Sequence, residues 1–213
     1  MSDFLERLKK NIERGVPGVE AHKKLLPIKL LKKREDSFTK RKEDGSYRDS
    51  AVSIILYPHL ESIYCILIKR PEYEGKHSGQ ISFPGGKFED SDLNFEYTAR
   101  REAFEEVGFP IKEGELITAL SQLYIPISNF LVHPFLFFTS KKPELIPDQR
   151  EVEKTVEFDI FDLLKPENQS TKDIQIEKST HLKNIPYFNI QGNVVWGATA
   201  MILSELKMIL KDI

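Results

Sequence analysis

Three glutamates, Glu102, Glu105 and Glu106, stand within one short stretch that follows a Pro84-Gly85-Gly86 triplet. If residues 95–107 wind as a helix at about 100° per residue, Phe95, Ala99, Ala103 and Val107 form an apolar stripe roughly 120° wide. Glu102 and Glu106, four residues apart, fall on its flank, and Glu105 lies one step further round. Three carboxylates then crowd beside a face that has to pack on something apolar. Like charges at this spacing repel, and partial burial makes the repulsion worse. A divalent cation is the simplest compensation. Mg²⁺ takes oxygen ligands and keeps waters, so a few carboxylates together with substrate phosphates suit it. Glycines let backbone approach a phosphate closely, which makes Gly85 and Gly86 candidate contacts. Asp90, Ser91 and Asp92 are candidate caps for the helix start. Arg101, four residues before Glu105, is placed to orient it through an ion pair.

The elements that must hold this helix are legible around it. Residues 3–14 carry Phe4, Leu5, Leu8 and Ile12 at helical spacing, and Pro17-Gly18 ends that run. Leu25 to Leu31 is apolar but interrupted by Pro27, and Lys32 to Asp49 is polar and charged, as a connection would be. We divide the chain into an N-terminal helical extension, residues 1–49, and a domain, residues 50–213. In the domain, AVSIILY and SIYCILIKR read as strands joined by a turn around Pro58 to Glu61. GQISF is a short strand entering the Pro-Gly-Gly turn. The helix over 94–107 stops at Gly108 and Pro110. ELITALSQLYI and FLVHPFLFFT are further strands, and Pro134 puts the second at an edge or a bulge. Glu151 to Phe158 reads as a strand leading into a short helix, and TKDIQIEK and IPYFNI as two more strands. The closing VVWGATAMILSELKMIL reads as an apolar helix. Strands surrounding a few helices predict an α+β fold, a mixed sheet with helices packed on it.

Composition narrows the class. The 213 residues are 40% hydrophobic and 30% charged, with a formal net charge of -2. A chain so close to neutral has no bulk attraction to nucleic acid, and no run of residues is apolar for the roughly 18–20 positions a membrane span needs. The lone cysteine, Cys65, lies inside an apolar run and reads as packing. The expectation is a cytoplasmic protein acting on a small molecule, with no nucleic-acid or membrane partner; a homodimer is compatible with it.

The stretch Arg101-Glu102-Ala103-Phe104-Glu105-Glu106-Val107-Gly108-Phe109 resembles the Nudix box, matching its Arg-Glu-(apolar)-x-Glu-Glu-x-Gly-(apolar) half at every position. The step from Gly86 to Arg101 is one residue longer than the common form, and Asp92 stands near the glutamate expected there. That insertion resembles the coenzyme A diphosphatase branch of the family. So does the run before the box, where Arg70 is followed by His77-x-Gly79-Gln80-(apolar)-x-Phe83-Pro84-Gly85-Gly86. Glu74 stands where that branch commonly has a leucine. Leu123 to Phe130, Pro134-Phe135, Glu151-Val152 and Trp196 to Thr199 are similar as well.

The resemblance implies a Nudix-type α/β/α sandwich and metal-dependent hydrolysis of a diphosphate. For this branch the substrate is coenzyme A or a derivative, and the products are 3′,5′-ADP and (acyl-)4′-phosphopantetheine. It implies Mg²⁺ or Mn²⁺ held by Glu102, Glu105 and Glu106. The general base stays open among Glu105, Glu106 and Glu151. Arg70, Lys76, His77 and Lys87 are candidate phosphate contacts alongside Gly85 and Gly86. Tyr124, Phe130 and Phe135 line a nucleotide pocket or simply fill core; Trp196 and Met201 read as helix packing. Two alternatives stand beside this reading: a diphosphatase for ADP-ribose or another nucleoside diphosphate conjugate, and a Nudix-fold module that binds a nucleotide without catalysis.

Overall fold

The computed structural model describes residues 2–26, 46–72, 79–177 and 180–213. The expectations for residues 27–45, Glu74, Lys76 and His77 lie outside them. The chain opens with helices α1 (Ser2–Glu13) and α2 (Val19–Lys23). Strands β1 (Arg48–His59), β2 (Ser62–Lys69), β3 (Ile81–Ser82) and β4 (Gly85–Lys87) precede helix α3 (Phe95–Val107). Then come β5 (Glu115–Ala119), β6 (Leu123–Ile125), β7 (Phe130–Phe138) and β8 (Lys154–Asp159), two short 3-10 turns over Ile160–Leu164 and Pro166–Asn168, and β9 (Gln169–Glu177), β10 (Thr180–Ile190) and β11 (Asn193–Val195). Helix α4 (Gly197–Leu210) closes the fold.

The main sheet runs β3-β2-β1-β7-β5, with β4 pairing β1, β6 pairing β7 and β8 pairing β2. β1 and β7 are parallel; the other pairs among the described residues are antiparallel, so the sheet is mixed as expected. Strands β11-β10-β9 form a second, separate sheet.

Period-two alternation sorts the central strands onto two buried faces. Ile55 and Tyr57 of β1 and Ile66 and Ile68 of β2 pack with Ala99, Ala103 and Val107 of α3. Ile54, Leu56, Cys65 and Leu67 point the other way, toward Phe4 and Leu8 of α1, Leu25 and Leu26 after α2, and Leu203 and Leu206 of α4. The result is helix, sheet, helix, as a chain whose two central strands are apolar on both faces requires. β1 begins at Arg48, inside the stretch assigned to the extension. The buried thiol of Cys65 is pushed well above the ordinary range by desolvation.

Two expectations change. Gly85-Gly86 is not only a turn: it is strand β4, with Ala51 opposite Gly86 and Val52 opposite Gly85. Pro134 is neither at an edge nor in a bulge but inside β7, opposite Val52 of β1. A strand residue's nitrogen and carbonyl point the same way, and the Pro134 carbonyl accepts from the Leu120 N–H, which lies beyond the end of β5. The missing donor therefore faces the break between β5 and β6, where no ladder bond is lost.

The α4 side also holds a buried polar key. Glu205, fully buried, accepts from His22 Nε2 at 3.0 Å, the Gly18 N–H at 3.0 Å and the Ser121 N–H at 3.2 Å. Burial alone would raise the Glu205 carboxyl, but the bonds from His22, Ser121 and Gly18 outweigh it and the group is lowered. This fixes α2 against α4 and the β5–β6 connection at once.

Candidate active site

Helix α3 is built as its sequence requires. Ala99, Ala103 and Val107 are buried against the sheet, and Phe95 packs at the edge of that cluster. The cap is Asn94, whose side chain accepts from the Tyr97 N–H at 2.8 Å. Asp90, Ser91 and Asp92 do not cap it. Gly108 ends it at φ 73, and its N–H returns to the Phe104 carbonyl at 2.9 Å. That left-handed turn is one that glycine adopts without a steric penalty.

Asp92, buried, does something else. Its carboxylate takes one edge of the Arg101 guanidinium, from Nε at 2.8 Å and Nη2 at 3.0 Å, and also accepts from Thr98 Oγ1 at 2.8 Å and the Glu89 N–H at 3.0 Å. The Arg101 guanidinium holds the Asp92 carboxyl down at about 2. So oriented, Arg101 bonds the Lys87 carbonyl at 3.0 Å, Glu102 Oε1 at 2.9 Å and Glu105 Oε2 at 2.9 Å. The predicted Arg101–Glu105 pair is present, but Glu102 shares it. Sequence reasoning read Asp92 as a cap; its one signal was its place near the glutamate expected before the box.

Glu106 is buried to 1% exposure. One oxygen accepts from the Gly85 N–H at 2.8 Å; the other lies 3.3 Å from Arg70 Nη2, which also donates to the Gly85 carbonyl at 3.2 Å. Desolvation raises the Glu106 carboxyl to about 7, against the pull of Arg70 and the Gly85 N–H and with the help of Glu102 and Glu151. Glu102 is raised too, by burial first and then by Glu105 and Glu151, with Arg101 opposing. Both polar backbone groups of Gly85 thus have partners inside the protein. The Glu102 carboxylate rests on Gly86, where a Cβ would displace it.

Glu151 comes from far along the chain, yet its charge acts on both Glu102 and Glu106. It is exposed, on a loop strapped to the end of α3: the Ile146 N–H bonds the Val107 carbonyl at 2.8 Å, and the Asp148 N–H bonds the Glu106 carbonyl at 3.0 Å. Lys87 is exposed at the end of β4. Four carboxylates and Arg70 therefore meet where α3, β4, the end of β2 and the loop before β8 converge. Among the described residues no three His, Cys, Asp or Glu side chains are arranged to hold an ion in this conformation; arginines hold Glu102, Glu105 and Glu106 instead. Away from this cluster, Tyr124 bonds Asn129 at 2.8 Å and Phe130 lies under the Arg48 guanidinium at 4.2 Å. Phe135 packs on the α3-side core, and Met201 is buried in α4.

A family model for the NUDIX domain matches residues 47–178. The chain belongs to the Nudix hydrolase family. The uncharacterized Nudix hydrolase NudL of Pectobacterium atrosepticum is 29% identical over 147 residues, 69% of this chain and 75% of that protein. NudL of an Enterobacter species is 29% identical over 169 residues, 79% and 86% of the two chains. Among solved structures, a MutT/nudix family protein from Enterococcus faecalis gives a TM-score of 0.47 at 14% identity, over 89% of this chain and 69% of that one. As a Nudix hydrolase, the protein carries its family's signature on α3 and the strand before it. Among the described residues no helix is long and apolar enough to cross a membrane.

Proposed function

We propose that this Nudix hydrolase cleaves the diphosphate bond of coenzyme A or its derivatives, giving 3′,5′-ADP and (acyl-)4′-phosphopantetheine with Mg²⁺ or Mn²⁺. The observation that carries the hydrolytic part is the gathering of Glu102, Glu105, Glu106 and Glu151, two of them partly or wholly buried with raised carboxyls. Such a set repels itself and is relieved by a cation with a preference for oxygen, so the donor chemistry fits Mg²⁺ or Mn²⁺. Glu102, Glu105 and Glu106 would hold the metal, which when bound neutralises phosphate charge and makes water more acidic. The substrate choice is supported by the sequence run from Arg70 through Gly86 and the longer step to Arg101.

The chain's own residues then divide the work. Asp92 fixes Arg101, and Arg101 fixes Glu102 and Glu105. Gly86 sets the depth at which Glu102 sits. Glu151 is the candidate base, because it is exposed to water while the oxygens of Glu106 are engaged by Gly85 and Arg70. Arg70 and Lys87, with His77 from the sequence motif, are the candidate contacts to substrate phosphates.

The test is incubation of purified protein with coenzyme A and millimolar Mg²⁺ or Mn²⁺, with chromatographic identification of products. Release of 3′,5′-ADP supports the proposal. Hydrolysis of ADP-ribose in the same panel with none of coenzyme A would replace it with the broader diphosphatase, and binding without turnover of any member would leave a nucleotide-binding module.

A further inference from the structure

The site holds two arginines, and they are held very differently. Arg101 uses three nitrogens in bonds of 2.8 to 3.0 Å to Asp92, Glu102, Glu105 and the Lys87 carbonyl, and its side chain is 13% exposed. Asp92 grips it through two parallel bonds, so it cannot leave without stranding a buried carboxylate. Among the described residues Arg70 reaches the site through one nitrogen, at 3.2 Å from the Gly85 carbonyl and 3.3 Å from Glu106 Oε1, and its side chain is 28% exposed. These are long contacts, at the weak end of hydrogen bonding, on a side chain with access to solvent.

In this arrangement each oxygen of Glu106 already has a partner. Its Oε2 is committed to the Gly85 N–H, whose direction is fixed by strand β4. Its Oε1 is the less tightly held of the two, and its partner is Arg70 at 3.3 Å.

We infer that Arg70 is an exchangeable counter-ion, which occupies Glu106 Oε1 until a divalent cation takes that oxygen and is then released to bind the substrate's diphosphate. The inference rests on the metal-dependent reading of the site but not on coenzyme A as substrate. No bond is made or broken; one positive partner of a buried carboxylate is replaced by another. Its consequence is thermodynamic coupling. The guanidinium competes with the cation for Glu106, and the cation promotes anion binding by freeing the guanidinium, so the two ligands help each other in both directions. A residue that only braced the fold would not do this.

Calorimetric titration of full-length protein tests it, with two probes: Mg²⁺ alone, and inorganic pyrophosphate at saturating Mg²⁺. Work at about pH 9 keeps protons from standing in for Arg70 on the carboxylate. Arg70→Gln removes the competitor and the anion partner together. It is expected to bind Mg²⁺ at least about threefold more tightly and pyrophosphate at least about tenfold more weakly. Arg70→Lys keeps the charge without the planar fork and is expected to fall between the two on both titrations. Opposite signs on the two probes support the inference. Unchanged or weaker Mg²⁺ binding by Arg70→Gln, with the wild-type circular dichroism and melting temperature retained, overturns it. Failure of the wild type itself to bind Mg²⁺ overturns the metal reading and this inference together. Opposite signs in a protein that spares coenzyme A leave this inference standing and remove only the substrate.

Discussion

The carboxylate of Glu102 occupies the space that a side chain on Gly86 would need. Gly86 is also paired with Ala51 across β4 and β1, so it cannot retreat. A Gly86→Ala substitution must therefore displace the Glu102 carboxylate from its place. We expect turnover to fall by about a hundredfold or more, since misplacing a group by about 1 Å costs that much. The loss of stability should be small, because the clash is with the far end of a flexible side chain. Steady-state kinetics beside a urea melt decide it; full activity would mean that the position of Glu102 is not set by this contact.

Glu106 titrates in the wrong direction for stability. Its carboxyl is raised by burial to about 7 in the folded chain, against an ordinary 4.5. Between those values the folded state keeps a proton that the unfolded state has lost. The metal-free protein is therefore stabilised by this group below about pH 4.5 and loses that contribution as pH rises to about 7, to the extent of about 3 kcal/mol. Glu106→Gln should flatten that fall, leaving the EDTA-treated variant more stable than wild type at pH 8 and close to it at pH 5. Its turnover with Mg²⁺ should drop at least about a hundredfold. Denaturant melts at the two pH values check the sign; parallel curves for the two proteins would refute it.

What the sequence revealed, and what it hid, divides by distance along the chain. The apolar runs of β1 and β2 and the stripe of α3 are local patterns, and the structure has strands and a buried helix face where they fall. Asn94, Asp92 and their neighbours all had capping chemistry; only the fold shows that Arg101 claims Asp92 and leaves the cap to Asn94. Glycine is disfavoured in strands, so Gly85-Gly86 read as a turn, but the close approach of β1 and Glu102 selects glycine there for lack of a side chain. The contact of Arg70 with Glu106 and the bond of His22 to Glu205 join residues far apart in sequence, and no spacing rule reaches that far. Glu205 did leave one trace, a lone acid in a largely apolar helical run.

Asp92 and Arg101 should prove energetically inseparable. Asp92 is buried, and its carboxyl is held at about 2 by Arg101. A lowered carboxyl contributes stability above its unfolded value and loses it only as pH falls toward 2, so at neutral pH the full contribution is present. Asp92→Asn leaves Arg101 without its main partner and is expected to cost about 3 kcal/mol. Turnover should drop about tenfold as Glu102 and Glu105 lose their common anchor. A double-mutant cycle with Arg101→Lys should give a coupling of at least about 1 kcal/mol. Additive effects would show that the pair acts as two unrelated surface charges.

Gly108 bears on Glu151 through the strap between them. It sits at φ 73, and a Cβ there would meet the Ile146 Cβ at 3.0 Å and its nitrogen at 3.2 Å. Ile146 and Asp148 bond the last carbonyls of α3, and Glu151 follows on the same loop. Gly108→Ala is strained twice, by its backbone and by the strap, and should lose about 1–2 kcal/mol. Displacing the strap should also move Glu151, lowering kcat about tenfold with little change in KM if Glu151 is the base. The decisive comparison is made on a Glu151→Gln background, where Gly108→Ala should lower stability as before but take nothing further from kcat. A further tenfold fall there would mean that Gly108 acts through α3 itself rather than through Glu151.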